Sequence, residues 1–165
     1  MLKKSIALGT LVVVALISMF SLRPLSDSYN DKDLNAFSID NALQHINQIA
    51  NSPHHASHPN HEAVKNYILS YLNKLGLETQ IQEGFSHNPK WKSVVYNKNI
   101  LARIKGTSNT KALMLLSHYD SNPHSAPGAS DAAVGVATIL EGLRAYLHQE
   151  KKPKNDIIIL LTDNE

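Results

Sequence analysis

The apolar residues of the chain follow three different patterns, and each predicts a different element. Residues 5–22 form a stretch of eighteen positions without a single charge, bounded by Lys3 and Lys4 before it and Arg23-Pro24 after it. As a helix, such a stretch just spans a bilayer. Further on, Ile39, Leu43, Ile46 and Ile49 recur at helical spacing behind Ser38, a residue type favoured at N-caps. A second amphipathic helix is predicted after Asn60, with Val64, Tyr67, Ile68, Tyr71, Leu72 and Leu75 on one face. It stops at Gly76, where a left-handed C-cap costs little.

The period then changes. Residues 79–82, 94–96 and 100–104 read as short β pieces, separated by turn residues at Asn88-Pro89 and 106–109. The uninterrupted run Ala112-Leu113-Met114-Leu115-Leu116 predicts a strand buried on both faces. A loop rich in Pro, Ser and Gly follows, then a helix over 131–148 with Val136, Ile139, Leu140, Leu143 and Leu147 inward. Residues 157–161 form a second apolar run. Strand, helix and strand at these lengths make a βαβ unit, whose strands are parallel. The expected organisation is a transmembrane signal anchor over 1–24, a polar linker over 25–37 and an α/β domain over 38–165.

Charge narrows the partners. The 16 Lys and Arg stand against 14 Asp and Glu, but Lys3, Lys4, Arg23 and Asp27 all lie within the first thirty residues. The remaining body is balanced and has no basic stripe, so no nucleic-acid partner is expected. The paired lysines before the apolar span place the N-terminus in the cytoplasm and the domain on the extracytoplasmic side, periplasmic or lumenal. A cleaved signal peptide, which would leave a secreted domain, is the competing reading. The segment Leu16-Ile17-Ser18-Met19-Phe20-Ser21 offers it a poor cleavage site. With no cysteine in the chain, any metal must be held by His, Asp or Glu.

In open parallel sheets, ligands gather at the carboxyl ends of the strands. His118 and Asp120 directly follow the first apolar strand, Asp131 opens the crossover helix, and Glu165 follows the second strand. A histidine and carboxylates on one edge suit zinc. Each residue also has a structural reading. His118 could be a hydrogen-bonded surface group, Asp131 a helix cap and Glu165 a solvated carboxylate. The loop histidines His54, His55, His58 and His61, flanked by Pro53 and Pro59, could form a separate metal site. Loop structure is the preferred reading for them. A dinucleotide site is set aside because no Gly-x-Gly-x-x-Gly follows the first strand.

The motifs Ser117-His118-Tyr119-Asp120-Ser121, Pro127-Gly128-Ala129-Ser130-Asp131 with Gly135-Val136, and Thr162-Asp163-Asn164-Glu165 resemble one known family. It is that of the zinc-dependent peptidases with two co-catalytic metals, which includes bacterial secreted aminopeptidases, glutamate carboxypeptidases and the vacuolar and endoplasmic-reticulum membrane metallopeptidases. The resemblance runs from Ser38 to Glu165 and is closest to the membrane-bound members, whose Pro-His-Pro-x-Gly-Ser-Pro segment is similar to residues 53–59. It implies a mixed, largely parallel central sheet flanked by helices, as the N-terminal portion of a longer domain. It also implies two zinc ions, with His118 a ligand of one and Asp131 bridging both, while Asp120 fixes the tautomer of His118. Glu165 would act as general base on the water between the metals, in an exopeptidase, most plausibly an aminopeptidase, acting on peptide substrates. A register shifted by one, with Asn164 in the base position and Glu165 as ligand, would describe an inactive membrane-tethered binding domain of the same fold. Because two ligands do not hold two ions, the 165-residue chain alone is expected to be inactive.

Overall fold

The structure, a computed structural model, describes residues 2–22, 33–90, 92–108, 111–125 and 127–164. The chain divides into two units, Met1–Asn30 and Asp31–Glu165. In the first, helix α1 runs over Leu2–Ser21, and its stretch Lys4–Ser21 is long and apolar enough to cross a membrane, with none of it buried. Eighteen helical residues rise about 27 Å, close to the thickness of a bilayer core. Two of its hydroxyls are satisfied within the helix: Thr10 Oγ1 donates to the Ile6 carbonyl and Ser21 Oγ to that of Ser18.

The second unit is a mixed α/β domain. Helices α2 (Ile39–Ile49) and α3 (Pro59–Lys74) precede strands β1 (Thr79–Asn88), β2 (Ser93–Ile104) and β3 (Ala112–His118). Helix α4 (Val134–His148) then crosses to β4 (Asp156–Thr162). Ser38 caps α2 by accepting from the Asn41 amide, as its position predicts. Gly76, at φ +78°, turns the chain out of α3. The strand order is β1-β2-β4-β3, with β3 and β4 parallel and the other two pairings antiparallel.

Inserting β4 between β2 and β3 buries its helix-facing side chains. Ile159 and Leu161 pack with Ile100 and Ala102 of β2, Ile49 of α2, Val64, Ile68 and Leu72 of α3, and Val136, Leu140 and Leu143 of α4. Each such aliphatic side chain contributes about 1.5–3 kcal/mol by leaving water. The ladder registers place Leu101, Met114, Leu116, Ile158 and Leu160 on the opposite face. Met114 and Leu116 are 53% and 60% exposed there, and Leu113 is 54% exposed. The expectation that 112–116 is buried on both faces is therefore not met, because β3 forms an edge of the described sheet and the core lies on one face.

The β pieces expected at 79–82, 94–96 and 100–104 join into two long strands. They pair from Thr79↔Ala102 to Asn88↔Ser93, whereas β2 pairs with β4 only from Ile104 to Ile100. The first half of β2 and the second half of β1 thus project as a two-stranded arm beyond the carboxyl ends of β3 and β4.

A buried charge pair ties the chain ahead of α2 to α4. Glu141 is fully buried and accepts from the Ser38 amide at 2.7 Å and from Arg144 Nε and Nη2 at 2.9 and 2.7 Å. Arg144 in turn donates to the carbonyls of Leu34 and Ala36. Residues 34–36, read from sequence as the end of the linker, are thereby held on the domain; residues 25–32 of that linker lie outside the described residues. Removing one partner of a buried pair strands the other charge. Arg144→Met should lower the unfolding free energy by about 3–5 kcal/mol in a urea titration, and Arg144→Met with Glu141→Met should recover most of it.

Candidate metal centre at the carboxyl edge of the sheet

The parallel ladder ends at His118↔Thr162, and the Tyr119 amide still donates to the Thr162 carbonyl at 3.0 Å. Both strand ends therefore emerge side by side. Beyond them, Gly128 adopts φ +79°, and a Cβ there would lie 2.9 Å from the Asp131 carbonyl and 3.0 Å from the Ser121 Cβ. Glycine is required on both counts. One short irregular turn, Ala129–Ala133, follows, in which Asp131 leaves helical geometry at φ −132°, ψ 91° and the Asp131-Ala132 peptide is cis. At Gly135 a Cβ would stand 2.6 Å from the Ser117 Oγ, so the start of α4 lies directly against the end of β3.

This close approach brings Asp131 to His118. Asp131 Oδ1 lies 2.9 Å from His118 Nε2, while His118 Nδ1 faces the Asp120 carboxylate at 3.3 Å and the Asp120 carbonyl at 3.2 Å. Asp120 is 7% exposed and Asp131 is at the surface, so both ring nitrogens of His118 face carboxylates; a proton on Nδ1 would satisfy Asp120, and a cation between Nε2 and Asp131 would stand where a proton otherwise bridges them. Asp131 does not cap the helix: the N-cap position of α4 is Ala133, without a side-chain cap bond. Its carboxylate is instead 74% exposed at the sheet edge. Two zinc ligands at tetrahedral angles and ordinary bond lengths sit about 3.3 Å apart, near the spacing of these two atoms. An imidazole nitrogen and a carboxylate oxygen fit zinc in chemistry and direction. Among the described residues no group of three or more such side chains converges on one point, and Glu165 lies outside the described residues.

The four loop histidines go to separate places. His54 is 1% exposed; its amide donates to the Ser121 Oγ at 2.8 Å and its Nδ1 lies 3.0 Å from the Ser52 carbonyl. Burial pushes its pKa below the ordinary value, against the opposing pull of the Ser52 carbonyl and Asp120. His55 reaches the Ala56 carbonyl, His58 caps α3 by accepting from the Asn60 amide, and His61 Nε2 meets Asp163 Oδ1 at 2.7 Å. Near them Glu62 bonds both Lys65 and Lys98, which hold its carboxyl down to about 2. The roles of His54, His61 and Asp163 escape sequence reading, since nothing in the spacing of residues 54–61 points to a partner a hundred residues away.

The model of peptidase family M28 matches residues 99–165, which include both strand ends and the turn between them. Over these residues the chain is similar to peptidase family M28. The vacuolar membrane protease of Candida tropicalis is 33% identical over 137 residues, which is 77% of this chain and 15% of that protein. Porphyromonas gingivalis glutaminyl cyclase superposes with a TM-score of 0.69 at 27% identity, covering 78% of this chain and 46% of its own. A Zn-dependent exopeptidase from Parabacteroides distasonis gives 0.65 at 26% identity, over 79% of this chain and 48% of its own. The chain spans between 14% and 19% of the length of the first curated relatives it matches. The expected α/β fold with a mixed sheet is observed, and the two solved structures share it.

Proposed function

We propose that the chain supplies the first part of the active site of a membrane-anchored zinc metallo-exopeptidase, an aminopeptidase. The observation that carries this reading is the convergence of His118 Nε2 and Asp131 Oδ1 at the edge of an M28 segment, with His118 Nδ1 backed by Asp120. The Zn-dependent exopeptidase from Parabacteroides distasonis supports zinc. Two ions are proposed; His118 and Asp131 would be among the residues that hold them.

Zinc bound at this edge supplies Lewis-acid polarisation of a peptide carbonyl and acidifies the attacking water. The chain's own residues do the rest. Asp120 would hold the proton of His118 on Nδ1, which would leave Nε2 as the nitrogen that meets a cation. Glu165 takes the proton of the attacking water and passes it to the leaving amine, so one carboxylate serves as base and then as acid. Asp131, exposed and free of any capping duty, is available to the cation side of the site.

Purified full-length protein should cleave aminoacyl or N-blocked peptide substrates in a zinc-dependent, chelator-sensitive way. Asp131→Ala should remove nearly all bound zinc, Asp120→Ala should weaken binding by about 10- to 100-fold, and Glu165→Gln should keep zinc while losing about 10²-fold or more of kcat. Equal and complete zinc loss in the Asp120 and Asp131 variants would overturn the assignment. The structural likeness to a glutaminyl cyclase favours a second reading of the same site; turnover of N-terminal glutaminyl peptides without cleavage of the chain would select it. Zinc-free protein with no turnover would mark an inactive binding domain.

The apolar stretch of α1 that follows Lys3 and Lys4 anchors this domain on the extracytoplasmic side of a membrane. A reporter active only outside the cytoplasm, fused after Asp33, is expected to work; activity of a cytoplasmic reporter instead would reverse the orientation.

A further inference from the structure

The end of β4 carries a second set of polar contacts that the metal pair does not use. Asp163 is buried, yet its carboxylate is fully engaged. Oδ1 meets His61 Nε2 of α3 at 2.7 Å, and Oδ2 accepts from the Lys98 amide of β2 at 3.0 Å. A carboxylate only accepts, so Nε2 of His61 carries the proton. The Asp163 amide donates to Asn99 Oδ1 at 3.0 Å, and Asn164, at φ +60°, donates from Nδ2 to Asn97 Oδ1 at 2.8 Å. The Asn97-Lys98-Asn99 stretch of β2 lies just beyond its last pairing with β4 and so grips the turn through its polar groups.

The same turn is fastened to the end of β3. Tyr119 is fully buried, its amide bonds the Thr162 carbonyl, and its hydroxyl donates to the Lys98 carbonyl at 2.9 Å. Burial, reinforced by the nearby Asp163 carboxylate, holds that hydroxyl protonated well above its usual range. The His61 ring stands 5.4 Å from the Tyr119 ring, which closes a circuit through α3, β4, β2 and β3. Burying a hydrogen-bonded carboxylate is a weak source of stability compared with apolar packing, so its value lies in direction. That direction is imposed on the last two residues before Glu165 and on the residue between His118 and Asp120.

We propose that His61 and Asp163 are positioning residues for the reaction: the pair fixes the turn through Asp163 and Asn164 and thereby sets the direction in which the chain leaves β4 beside the His118 and Asp131 edge. This inference rests on the peptidase reading given above. His61 touches no reacting atom and acts only through Asp163. It also gives the histidine-rich segment a function that involves no metal.

Two substitutions at His61 separate positioning from packing. His61→Phe keeps a ring against Tyr119 and removes the donor, while His61→Gln keeps a donor at the place of Nε2. In the full-length protein, His61→Phe should lose about 10²-fold in kcat with KM within about twofold and zinc content unchanged, and His61→Gln should restore most of kcat. Hydrogen exchange reads the clamp without activity: the Lys98 amide should exchange faster in His61→Phe than in wild type and stay protected in His61→Gln. Wild-type kcat and a protected Lys98 amide in His61→Phe would overturn the proposal. So would an equal loss in both variants accompanied by loss of zinc, which would mean general support of the fold. If the wild-type protein turns over no peptide, the peptidase reading falls, and the exchange contrast at Lys98 still decides whether the clamp exists.

Discussion

Ser117 pairs with Leu161 and His118 with Thr162, and at that register the parallel ladder stops while both chains run on along the same edge. A one-residue slip would turn His118 to the other face of the sheet and carry Tyr119 out of the core. The register is secured from the inside. Ile159 and Leu161 sit in the middle of the core, and β4 is flanked on both sides, by β2 and by β3. Everything at the edge inherits its position from this ladder: His118 on one strand, Asp163 on the other, and Asp131 on the turn that Gly128 and Gly135 let approach.

Two layers of contacts meet at that edge. The outer layer is the His118, Asp120 and Asp131 set, in which one imidazole has its inner nitrogen occupied and its outer nitrogen presented. The inner layer is Tyr119, His61 and Asp163, fully or nearly fully buried and each hydrogen-bonded to a neighbouring element. A site that must hold a cation and a proton acceptor in fixed relation gains from such a floor, because the low dielectric beneath it stiffens each polar contact. The arm formed by β1 and β2 takes part as well, since its Asn97-Lys98-Asn99 stretch holds the end of a strand it no longer pairs with.

The helices and the βαβ unit were legible in the sequence because one period carries each of them. Ile39, Leu43, Ile46 and Ile49 repeat at helical spacing, and residues 157–161 form an apolar run too short for a helix. His118, Asp120 and Asp131 were legible as a group because topology alone puts strand ends and the crossover helix start on one edge. The role of Asp131 was not, since a Ser-Asp pair before an apolar helix serves equally as a cap; only Ala133 at the N-cap position removes that option. The long hairpin was missed where Asn97, Lys98 and Asn99 break the apolar alternation. Those residues stay in strand geometry because they pair with β1 and their polar groups have partners on β1 and at Asp163 and Asn164 just past β4, which local sequence does not show. The exposure of Met114 and Leu116 escaped for a similar reason, as a buried strand and a half-covered edge strand share one apolar pattern.

The central claim is that His118 and Asp131 hold zinc at this edge, with the loop histidines committed to the fold. A crystal structure of the full-length protein with zinc, using anomalous scattering at the zinc edge, tests it most directly. Anomalous density about 2.0–2.2 Å from His118 Nε2 and from an Asp131 carboxylate oxygen is the expected result. Density instead among His54, His55, His58 and His61, with none at His118 and Asp131, would contradict it.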